Sequence, residues 1–206
     1  MVTPDYWKRA TGELASRDRV MRELIQRFDQ CVLQSRGDAF STLARSIVGQ
    51  QISVKAAESV WQKILSAIPD VTPHTIHLAE NDKLRACGLS VRKINYLRDL
   101  ARHFRENKLE VSEWDTLDDE TLIVQLIQVK GIGRWTAEMF LIFHMLRPNV
   151  LPLDDIGLQR AIGQHYFSNE RVDKKTICQL AESWQPWRSV ATWYLWRSLD
   201  PLPVAY

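Results

Sequence analysis

Two glycines separated by one residue interrupt a long apolar pattern near the middle of this 206-residue chain. Apolar residues recur at helical spacing over 122–129, ahead of the glycines, and again over 137–144, after them. Glycine adopts positive φ without steric cost and lets another backbone approach closely, so Gly131 and Gly133 predict a tight turn between two short helices. The sequence therefore predicts a helix-hairpin-helix at about 120–144.

The start of the second hairpin helix predicts a binding function. The first N–H groups of a helix have no intrahelical acceptor, and the positive end of the helix dipole lies there. That end can hold a phosphate, and Lys130 and Arg134 flank it in the sequence. This pattern is typical of a device that grips a nucleic-acid backbone without reading the bases. The alternative is a packing corner in which a glycine ends a helix.

Composition and charge limit the classes of protein that fit. The formal net charge is only +2, so any nucleic-acid contact has to come from a local basic face. The length allows one domain or two small lobes. Cys31, Cys87 and Cys178 lie far apart without metal-ligand spacing, which favours thiols in a reducing compartment. Neither a signal-like N-terminus nor a membrane-length apolar run is present, so we expect a soluble intracellular protein.

The rest of the chain has a helical pattern. Apolar positions recur at helical spacing from residue 18 onward, whereas residues 1–17 show little periodicity. No alternating strand pattern competes with it, so the sequence predicts an all-α fold. Polar capping residues and prolines mark many of the expected helix starts. The predicted helices begin at or just after Asp18, Ser53, Thr72, Ser90, Asp118, Asp173 and Pro186.

Two corners between predicted helices carry polar residues. Gln50 and Gln51 are either solvated turn residues or side chains aimed at a ligand, and their position alone favours the first interpretation. Ser90 precedes a helix with basic outward positions, and such charges are typical of a solvated face, although the turn before it could also contact a backbone phosphate. These basic positions are Arg92, Lys93, Arg98 and Arg102.

An apolar segment at 151–153 ends in two carboxylates, Asp154 and Asp155, at a predicted helix start. One acidic residue suffices as a helix cap, which is the ordinary interpretation. Because two adjacent aspartates cannot point the same way, the other can face a cleft, where it would stabilise positive charge developing on a sugar or orient a water. This chemistry parallels glycoside hydrolysis, and the spacing alone leaves both interpretations open.

Four segments in combination resemble the helix-hairpin-helix (HhH-GPD) DNA glycosylase superfamily. The chain is most similar to the 3-methyladenine DNA glycosylase II branch in its compact form, without the extra N-terminal domain of some members. The match runs from about Phe40 to Trp196, in the family's order and spacing. The segments are Gly-Ile-Gly-Arg-Trp-Thr-Ala at 131–137, Leu-Pro-Leu-Asp-Asp-Ile-Gly-Leu at 151–158, Val-Gly-Gln-Gln-Ile-Ser at 48–53 and Trp-Gln-Pro-Trp-Arg-Ser at 184–189.

The resemblance implies roles in catalysis and base recognition. Asp155, rather than Asp154, matches the catalytic aspartate, because residues 155–160 fit the helix that follows it in the family. Trp135 stands where bifunctional relatives carry a catalytic lysine, and a Trp cannot form a Schiff base, so lyase activity is not expected. The implied base-pocket residues are Trp135, Met139 and Trp196, and some relatives have an aromatic residue at position 139.

The resemblance also implies how DNA is held. Gln51, with Gln50 beside it, matches the wedge that fills the gap left by a flipped base. No cofactor or metal is required, because three cysteines cannot supply an iron–sulfur cluster. The backbone carbonyls that match a monovalent-cation site are those of Ile127, Val129 and Ile132. The implied DNA-backbone contacts are Lys130, Gly131, Gly133, Arg134, Thr136, Ser90 and Lys93.

The function implied by the resemblance is that of a monofunctional DNA N-glycosylase. It would flip alkylated purines of the 3-methyladenine or 7-methylguanine type out of duplex DNA and hydrolyse their glycosidic bond, the first step of base excision repair. Its partner is double-stranded DNA with damaged bases, no membrane is involved, and we expect a monomer in the bacterial cytoplasm, or in the nucleus of a eukaryote. The alternatives are a mismatch or oxidised-base glycosylase of the same superfamily and a non-catalytic DNA-binding module.

The implied architecture is a single glycosylase domain of residues 1–206, built as a two-lobed helical bundle with a cleft between the lobes. Residues 1–36 and 168–206 are expected to form one lobe, and residues 37–167 the other.

Overall fold

Helices make up every regular element of the structure, a computed structural model that describes residues 3–35 and 37–199. The all-α prediction is therefore confirmed. Within the same ranges, no helix is both long and apolar enough to cross a bilayer. In chain order the helices are α1 (Trp7–Arg17), α2 (Arg19–Arg27), α3 (Ala39–Gly49), α4 (Val54–Ala67), α5 (Pro73–Leu78), α6 (Asn81–Ala86), α7 (Val91–Arg105), a 3-10 helix (Val111–Thr116), α8 (Asp119–Leu126), α9 (Arg134–Phe143), α10 (Ile156–Tyr166), α11 (Lys174–Glu182) and α12 (Arg188–Leu199).

The chain divides into two compact units, and the division differs from the predicted lobes. We name residues 37–140 the central unit, and residues 3–35 with 141–199 the terminal unit. The prediction that residues 141–167 belong with the central lobe is wrong, because α10 packs against α12 and so joins the terminal unit. The outer limits of the predicted lobes, residues 1, 36 and 206, lie outside the described residues.

One carboxylate ties together three parts of the terminal unit. Asp18 caps α2 by accepting the Met21 N–H at 3.0 Å. Its second oxygen accepts the hydroxyl of Tyr166, at the end of α10, at 2.8 Å. The same oxygen accepts the indole N–H of Trp184, which lies between α11 and α12, at 3.0 Å. Trp184 is fully buried, so its only polar atom needs this acceptor.

Four aromatic rings in edge-to-face contact run through the central unit. Phe40, Phe104, Trp114 and Phe140 follow one another with ring centroids 5.3, 6.2 and 5.4 Å apart. These residues come from α3, α7, the 3-10 helix and α9. The chain of rings therefore fixes α9, the second hairpin helix, against the helices that precede it in this unit.

Helix starts follow the capping chemistry expected from the sequence, with two exceptions. The sequence predicts no helix over 1–17, but α1 is present there and buries Trp7, Ala10 and Leu14 at a spacing of three and four residues. The last helix begins at Arg188 rather than at Pro186. The side chains that accept the N–H three residues ahead are those of Asp18, Asp38, Ser53, Thr72, Ser90, Asp118, Asp155 and Asp173.

Candidate functional site

The predicted hairpin is present, and its turn depends on Gly131. α8 ends at Leu126, α9 begins at Arg134, and Gly131 between them has a φ of +89°. A Cβ on Gly131 would overlap the Tyr96 ring of α7, lying 2.5 Å from Cγ and 2.8 Å from Cε2. The sequence predicts close approach by a backbone at this glycine, whereas the structure places an aromatic side chain there. Gly131 is therefore required for both its conformation and its size.

Gly133 occupies a different environment. A Cβ on this residue would meet no heavy atom within 4 Å, so the space beside it is open. Its carbonyl accepts the Ala137 N–H at 3.0 Å, which makes it the residue from which α9 starts. The N–H groups of residues 134–136 consequently lack intrahelical acceptors. The open side of Gly133 at the start of α9 leaves room for a phosphate, and phosphate binding by this turn stays a prediction.

A buried carboxylate of α7 fixes the first residue of the turn. Asp99 is 8% exposed, and its Oδ2 accepts the backbone N–H of Lys130 at 2.8 Å. Its Oδ1 accepts a guanidinium N–H of Arg102 at 2.6 Å, and His103 Nδ1 lies 3.6 Å from Oδ2. Burial opposes ionisation of Asp99, but the hydrogen bonds from Lys130 and Arg102 outweigh it and lower the pKa of this carboxyl. The amide of Lys130 thus bonds to the protein, and only its exposed side chain is offered to a ligand.

The two glutamines at the corner between α3 and α4 have different environments. Gln50 is half-buried, and its amide nitrogen donates to the carbonyl of Gly131 at 2.7 Å. Gln51 is exposed and has a φ of +60°, in the left-handed region that non-glycine residues rarely adopt. The structure therefore leaves Gln51 as the exposed candidate for a wedge and gives Gln50 a contact within the protein.

Arg134, a predicted phosphate contact, is neutralised within the protein. Its guanidinium makes two bonds to Glu120, at 2.6 and 2.8 Å, and a third to Glu138 at 3.1 Å. The hydrogen bonds to Glu120 raise the pKa of Arg134 and keep its charge paired. Lys130, the other predicted basic contact of the turn, has an exposed side chain. We therefore expect Lys130 to contribute more than Arg134 to binding.

We predict that Lys130→Gln weakens binding to any duplex by about threefold and reduces the slope of log Kd against log salt by about 0.9, the loss of one phosphate contact. Arg134→Gln should leave this slope unchanged, because the charge it removes is already paired. Fluorescence anisotropy over a salt titration measures both variants. A larger change in slope for Arg134→Gln than for Lys130→Gln would contradict the prediction.

Two of the four basic positions of α7, Lys93 and Arg98, are half-buried and bond within the protein, which corrects the prediction of a solvated face for these two. Arg92 and Arg102 are exposed, as predicted. Lys93 Nζ donates to the Val48 carbonyl at the end of α3 at 2.6 Å, and burial lowers the pKa of Lys93. Arg98 donates to the carbonyls of His77 and Ala79 at 3.0 and 2.6 Å. The ammonium of Lys93 therefore stabilises a helix C-terminus in the protein, as expected for a cation at that end of the dipole.

Other predicted DNA contacts differ in exposure. Ser90 is exposed and accepts the Lys93 N–H at 3.3 Å as the cap of α7. Thr136 is 7% exposed, so its side chain packs against the protein and only its amide remains for a phosphate. Trp135 is 38% exposed and presents ring surface. Met139 is 4% exposed and belongs to the packed side of α9, and its role in a base pocket stays a prediction.

The carbonyls at which the resemblance implies a monovalent cation lie at the end of α8 and in the hairpin turn, and a cation there stays a prediction. Ile127 follows the last residue of α8, where helix carbonyls lack intrahelical donors. The Val129 carbonyl accepts the Ile132 N–H at 3.0 Å and has a second lone pair. Neutral carbonyl oxygens alone suit a cation of low charge, so Ile127, Val129 and Ile132 would hold a monovalent ion.

In the terminal unit, the two adjacent aspartates take separate roles. Asp154 is exposed and pairs with Lys174. Asp155 is half-buried and caps α10, where its Oδ1 accepts the Leu158 N–H at 2.6 Å. The same oxygen accepts the indole N–H of Trp196 at 2.8 Å. Asp155 is thus both a cap and an oriented carboxylate, and the two interpretations that the spacing left open are compatible.

Residues that the sequence does not single out support this carboxylate. The Trp196 ring stacks on Phe143, with centroids 5.6 Å apart and an interplanar angle of 11°. A Cβ on Gly157 would lie 3.1 Å from Asp155 Oδ1 and 3.4 Å from Trp196 Nε1, so a larger residue would press on the bond between them. A glycine two residues after a capping aspartate was the available signal for this packing. No sequence signal marked Phe143, because an aromatic residue in a helical apolar pattern is typical of an ordinary core position.

The segment that leads to Asp155 is anchored by the Trp-Gln-Pro-Trp-Arg-Ser motif. The Ser189 hydroxyl donates to the Arg147 carbonyl at 2.6 Å and accepts the Val150 N–H at 2.9 Å. Arg188 donates to the Asn149 side chain at 2.8 Å. Ser189 is fully buried. The motif therefore fixes residues 147–150 of the terminal unit, immediately before the Leu-Pro-Leu-Asp-Asp segment.

We predict that Trp196→Phe lowers the rate of the chemical step about tenfold, because it removes a hydrogen bond to a charged carboxylate while keeping an aromatic ring on Phe143. Trp187→Phe is the matched control, since the Trp187 indole donates to Glu13 at 2.9 Å in the same unit. Single-turnover rates of both variants test this. Equal losses in the two variants would show that Trp196 serves stability alone.

Comparison with known proteins identifies the family of this chain. A family model described as "HhH-GPD superfamily base excision DNA repair protein" matches residues 44–186. The chain therefore belongs to the HhH-GPD superfamily of base excision DNA repair proteins, as the motifs indicate.

Curated relatives and solved structures are similar over most of the chain. "DNA-3-methyladenine glycosylase 1" of Schizosaccharomyces pombe is 33% identical, covering 78% of this chain and 72% of the relative. "Putative DNA-3-methyladenine glycosylase YfjP" of Bacillus subtilis is 32% identical over 78% of this chain, and the match spans only 59% of that protein. The structure of S. pombe 3-methyladenine DNA glycosylase (Mag1) in complex with abasic DNA aligns with a TM-score of 0.80 at 29% identity, covering 96% of this chain and 99% of that one.

Proposed function

We propose that this protein is a DNA N-glycosylase that hydrolyses the glycosidic bond of alkylated purines, such as 3-methyladenine and 7-methylguanine, in duplex DNA. The observation that carries the proposal is the Asp155 carboxylate, which the Leu158 N–H and the Trp196 indole hold in one orientation. The names of the relatives support this substrate class, and the S. pombe complex with abasic DNA supports DNA as the partner.

The central unit supplies the grip on DNA. The open side of Gly133, the first amides of α9 and the Lys130 side chain bind phosphates next to the lesion. Gln51 enters the base stack and takes the place of the nucleotide that rotates out. Flipping costs a few kcal/mol and costs least for a base that is already poorly stacked, so damaged bases are favoured.

Recognition of the flipped base uses its charge. Purines alkylated at N3 or N7 of the ring are cationic or electron-poor, and the exposed ring of Trp135 stacks on them. A cation over a Trp face gains about 0.5–2 kcal/mol, which is too little for high selectivity by itself. The weak glycosidic bond of the lesion provides the remainder, because a cationic leaving group needs little acid assistance.

Asp155 then carries the chemistry. As the bond between C1′ and the base breaks, its carboxylate stabilises the oxocarbenium-like sugar and helps a water to attack C1′. Trp135 has no amine to form a Schiff base with the sugar, so the product is an abasic site in an intact strand. A monovalent cation held by Ile127, Val129 and Ile132 would supply positive charge beside a bound phosphate.

A panel of single lesions in otherwise identical duplexes tests the substrate class. We expect the purified protein to release 3-methyladenine and 7-methylguanine, identified by mass spectrometry, at rates far above those for 8-oxoguanine opposite cytosine and thymine opposite guanine. Release of 8-oxoguanine or of thymine alone would favour an oxidised-base or mismatch glycosylase. Tight duplex binding without release of any base would favour a non-catalytic module.

We further propose that the protein acts on chromosomal DNA as a monomer. One bound protein per short lesion duplex in analytical ultracentrifugation is the expected result, and a complex with two copies on one lesion would contradict it.

A further inference from the structure

The side chain of Gln50 connects two parts of the central unit that have different proposed roles. Gln50 is the residue that follows α3, and Gln51 beside it is the proposed wedge. The Gln50 amide nitrogen donates to the carbonyl of Gly131 at 2.7 Å, across 81 residues of sequence. This hydrogen bond therefore joins the corner that carries the wedge directly to the turn that binds phosphate.

The backbone of the wedge residue is held in a conformation that needs support. Gln51 has a φ of +60°, and L-residues adopt this region only when their surroundings fix it. Gln51 itself is exposed, so its own side chain supplies little of that support. The bond from Gln50 to Gly131 and the bond from Lys93 to Val48, at 2.6 Å, hold the chain immediately before it.

Helix α7 joins the same two parts by a second route. Lys93 reaches the end of α3, while the Tyr96 ring lies against Gly131. Asp99, from the same helix, accepts the Lys130 N–H at 2.8 Å. The corner and the turn are thus connected both directly, through Gln50, and through α7. Residues 48–51 and 130–131 move as one body if these contacts hold.

We propose that Gln50 is a positioning residue that sets the wedge Gln51 relative to the phosphate-binding turn, and that Gln50 does not itself enter DNA. The proposal rests on the proposed function, because it assigns Gln50 a part in base flipping. When the turn binds a phosphate, the peptide of Gly131 is fixed, and the Gln50 amide carries that constraint to the corner. Binding of the backbone and entry of the wedge are therefore coupled directly by this hydrogen bond, in addition to the route through α7.

A double-mutant cycle tests this coupling. Gln50→Met removes the amide donor at similar length, Gln51→Ala removes the wedge, and the third variant combines them. The rate of base release in single turnover, at enzyme concentrations that saturate a duplex with one 3-methyladenine, is measured with the affinity for an undamaged duplex. Gln62→Met is the matched control, since Gln62 is exposed and donates to Glu58 of its own helix at 2.8 Å.

We expect Gln50→Met to slow base release by about three- to tenfold, the effect of one lost hydrogen bond, with less than about a twofold change in affinity for undamaged duplex. In the Gln51→Ala background, Gln50→Met should add less than about a further twofold, because no wedge remains to be positioned. Gln50→Glu, which places a carboxylate against the Gly131 carbonyl, should slow release at least as much as Gln50→Met.

Multiplicative effects of the two substitutions would overturn the proposal, as would equal losses in Gln50→Met and Gln62→Met. A loss of melting temperature that accounts for the slower release would also overturn it, because the role would then be one of stability. The rate of 3-methyladenine release by the wild type distinguishes failure of this proposal from failure of the proposed function. Failure of the wild type to release 3-methyladenine contradicts the proposed function, whereas multiplicative effects of the two substitutions on a measurable rate contradict only the role of Gln50.

Discussion

Replacing Asp155 by Asn is expected to slow base release by at least about a hundredfold, while binding to an abasic duplex changes little. The removed charge stabilises positive charge at C1′ in the transition state, and loss of one such stabilising group typically costs about 10²–10³ in rate. The fold should survive, because Asn caps helices as well as Asp does and its carbonyl can accept the Leu158 N–H and the Trp196 indole. Single-turnover kinetics, a binding titration and a melting curve measure the three quantities.

Asp154→Asn is the matched control. Asp154 is exposed and pairs with Lys174, and exposed ion pairs contribute about 1 kcal/mol or less. We expect a rate within about twofold of the wild type, since the pair serves only the surface. Activity retained in Asp155→Asn and lost in Asp154→Asn would reverse the assignment of the two residues.

Gly131→Ala is expected to produce the largest loss of stability among changes in the hairpin. A left-handed backbone costs a non-glycine residue about 1–2 kcal/mol, and forcing a Cβ into the Tyr96 ring costs about 1–3 kcal/mol more. For a chain of this size the sum corresponds to a fall of about 5–15 °C in melting temperature. Displacement of the turn should also weaken binding to every duplex by more than about tenfold.

Two variants separate the causes of this loss. Gly133→Ala meets no atom within 4 Å, so it should cost less than about 1 kcal/mol of stability while still weakening duplex binding through the added methyl group. Tyr96→Ala in the Gly131→Ala background removes the overlapping ring and should restore part of the turn geometry. A Gly131→Ala protein that melts and binds as the wild type does would contradict the account of this turn.

The features that sequence predicts best here follow rules of local chemistry. Side-chain caps such as Ser53 and Asp118 accept the N–H three residues ahead because the acceptor and donor are neighbours in sequence. The turn at Gly131 is equally local, since a positive φ of this size favours glycine over residues with a side chain. The sequence does not predict α1 for a different reason. Only three apolar positions of this helix are buried, and among polar residues they form a weak pattern.

The partners of the candidate site residues depend on tertiary packing and could not be predicted. Lys93 and Arg134 are basic residues at sites expected to face DNA, yet one bonds to Val48 and the other to Glu120. No local pattern indicates a contact between residues 45 or 14 positions apart. The division of the chain after residue 140 has the same origin, since packing of α10 on α12 decides it.

The Asp155 site combines both kinds of information. Its capping role follows from sequence, because an acidic residue before a helical pattern is a common N-cap. The indole of Trp196, 41 residues further on, supplies the orientation that turns a cap into a directed carboxylate. The resemblance implies that Trp196 contacts the base, and that role stays a prediction beside the contact with Asp155.

The most direct test of the central claim is base release by the wild-type protein from duplex DNA that contains 3-methyladenine, with strand integrity followed before and after alkali. We expect free 3-methyladenine, an intact strand before alkali and a break at the lesion after it, because hydrolysis leaves an abasic site and Trp135 cannot cleave the strand. Absence of free base under conditions in which the protein binds the duplex would contradict the claim of glycosylase activity. Strand breaks without alkali would contradict hydrolysis without a lyase step.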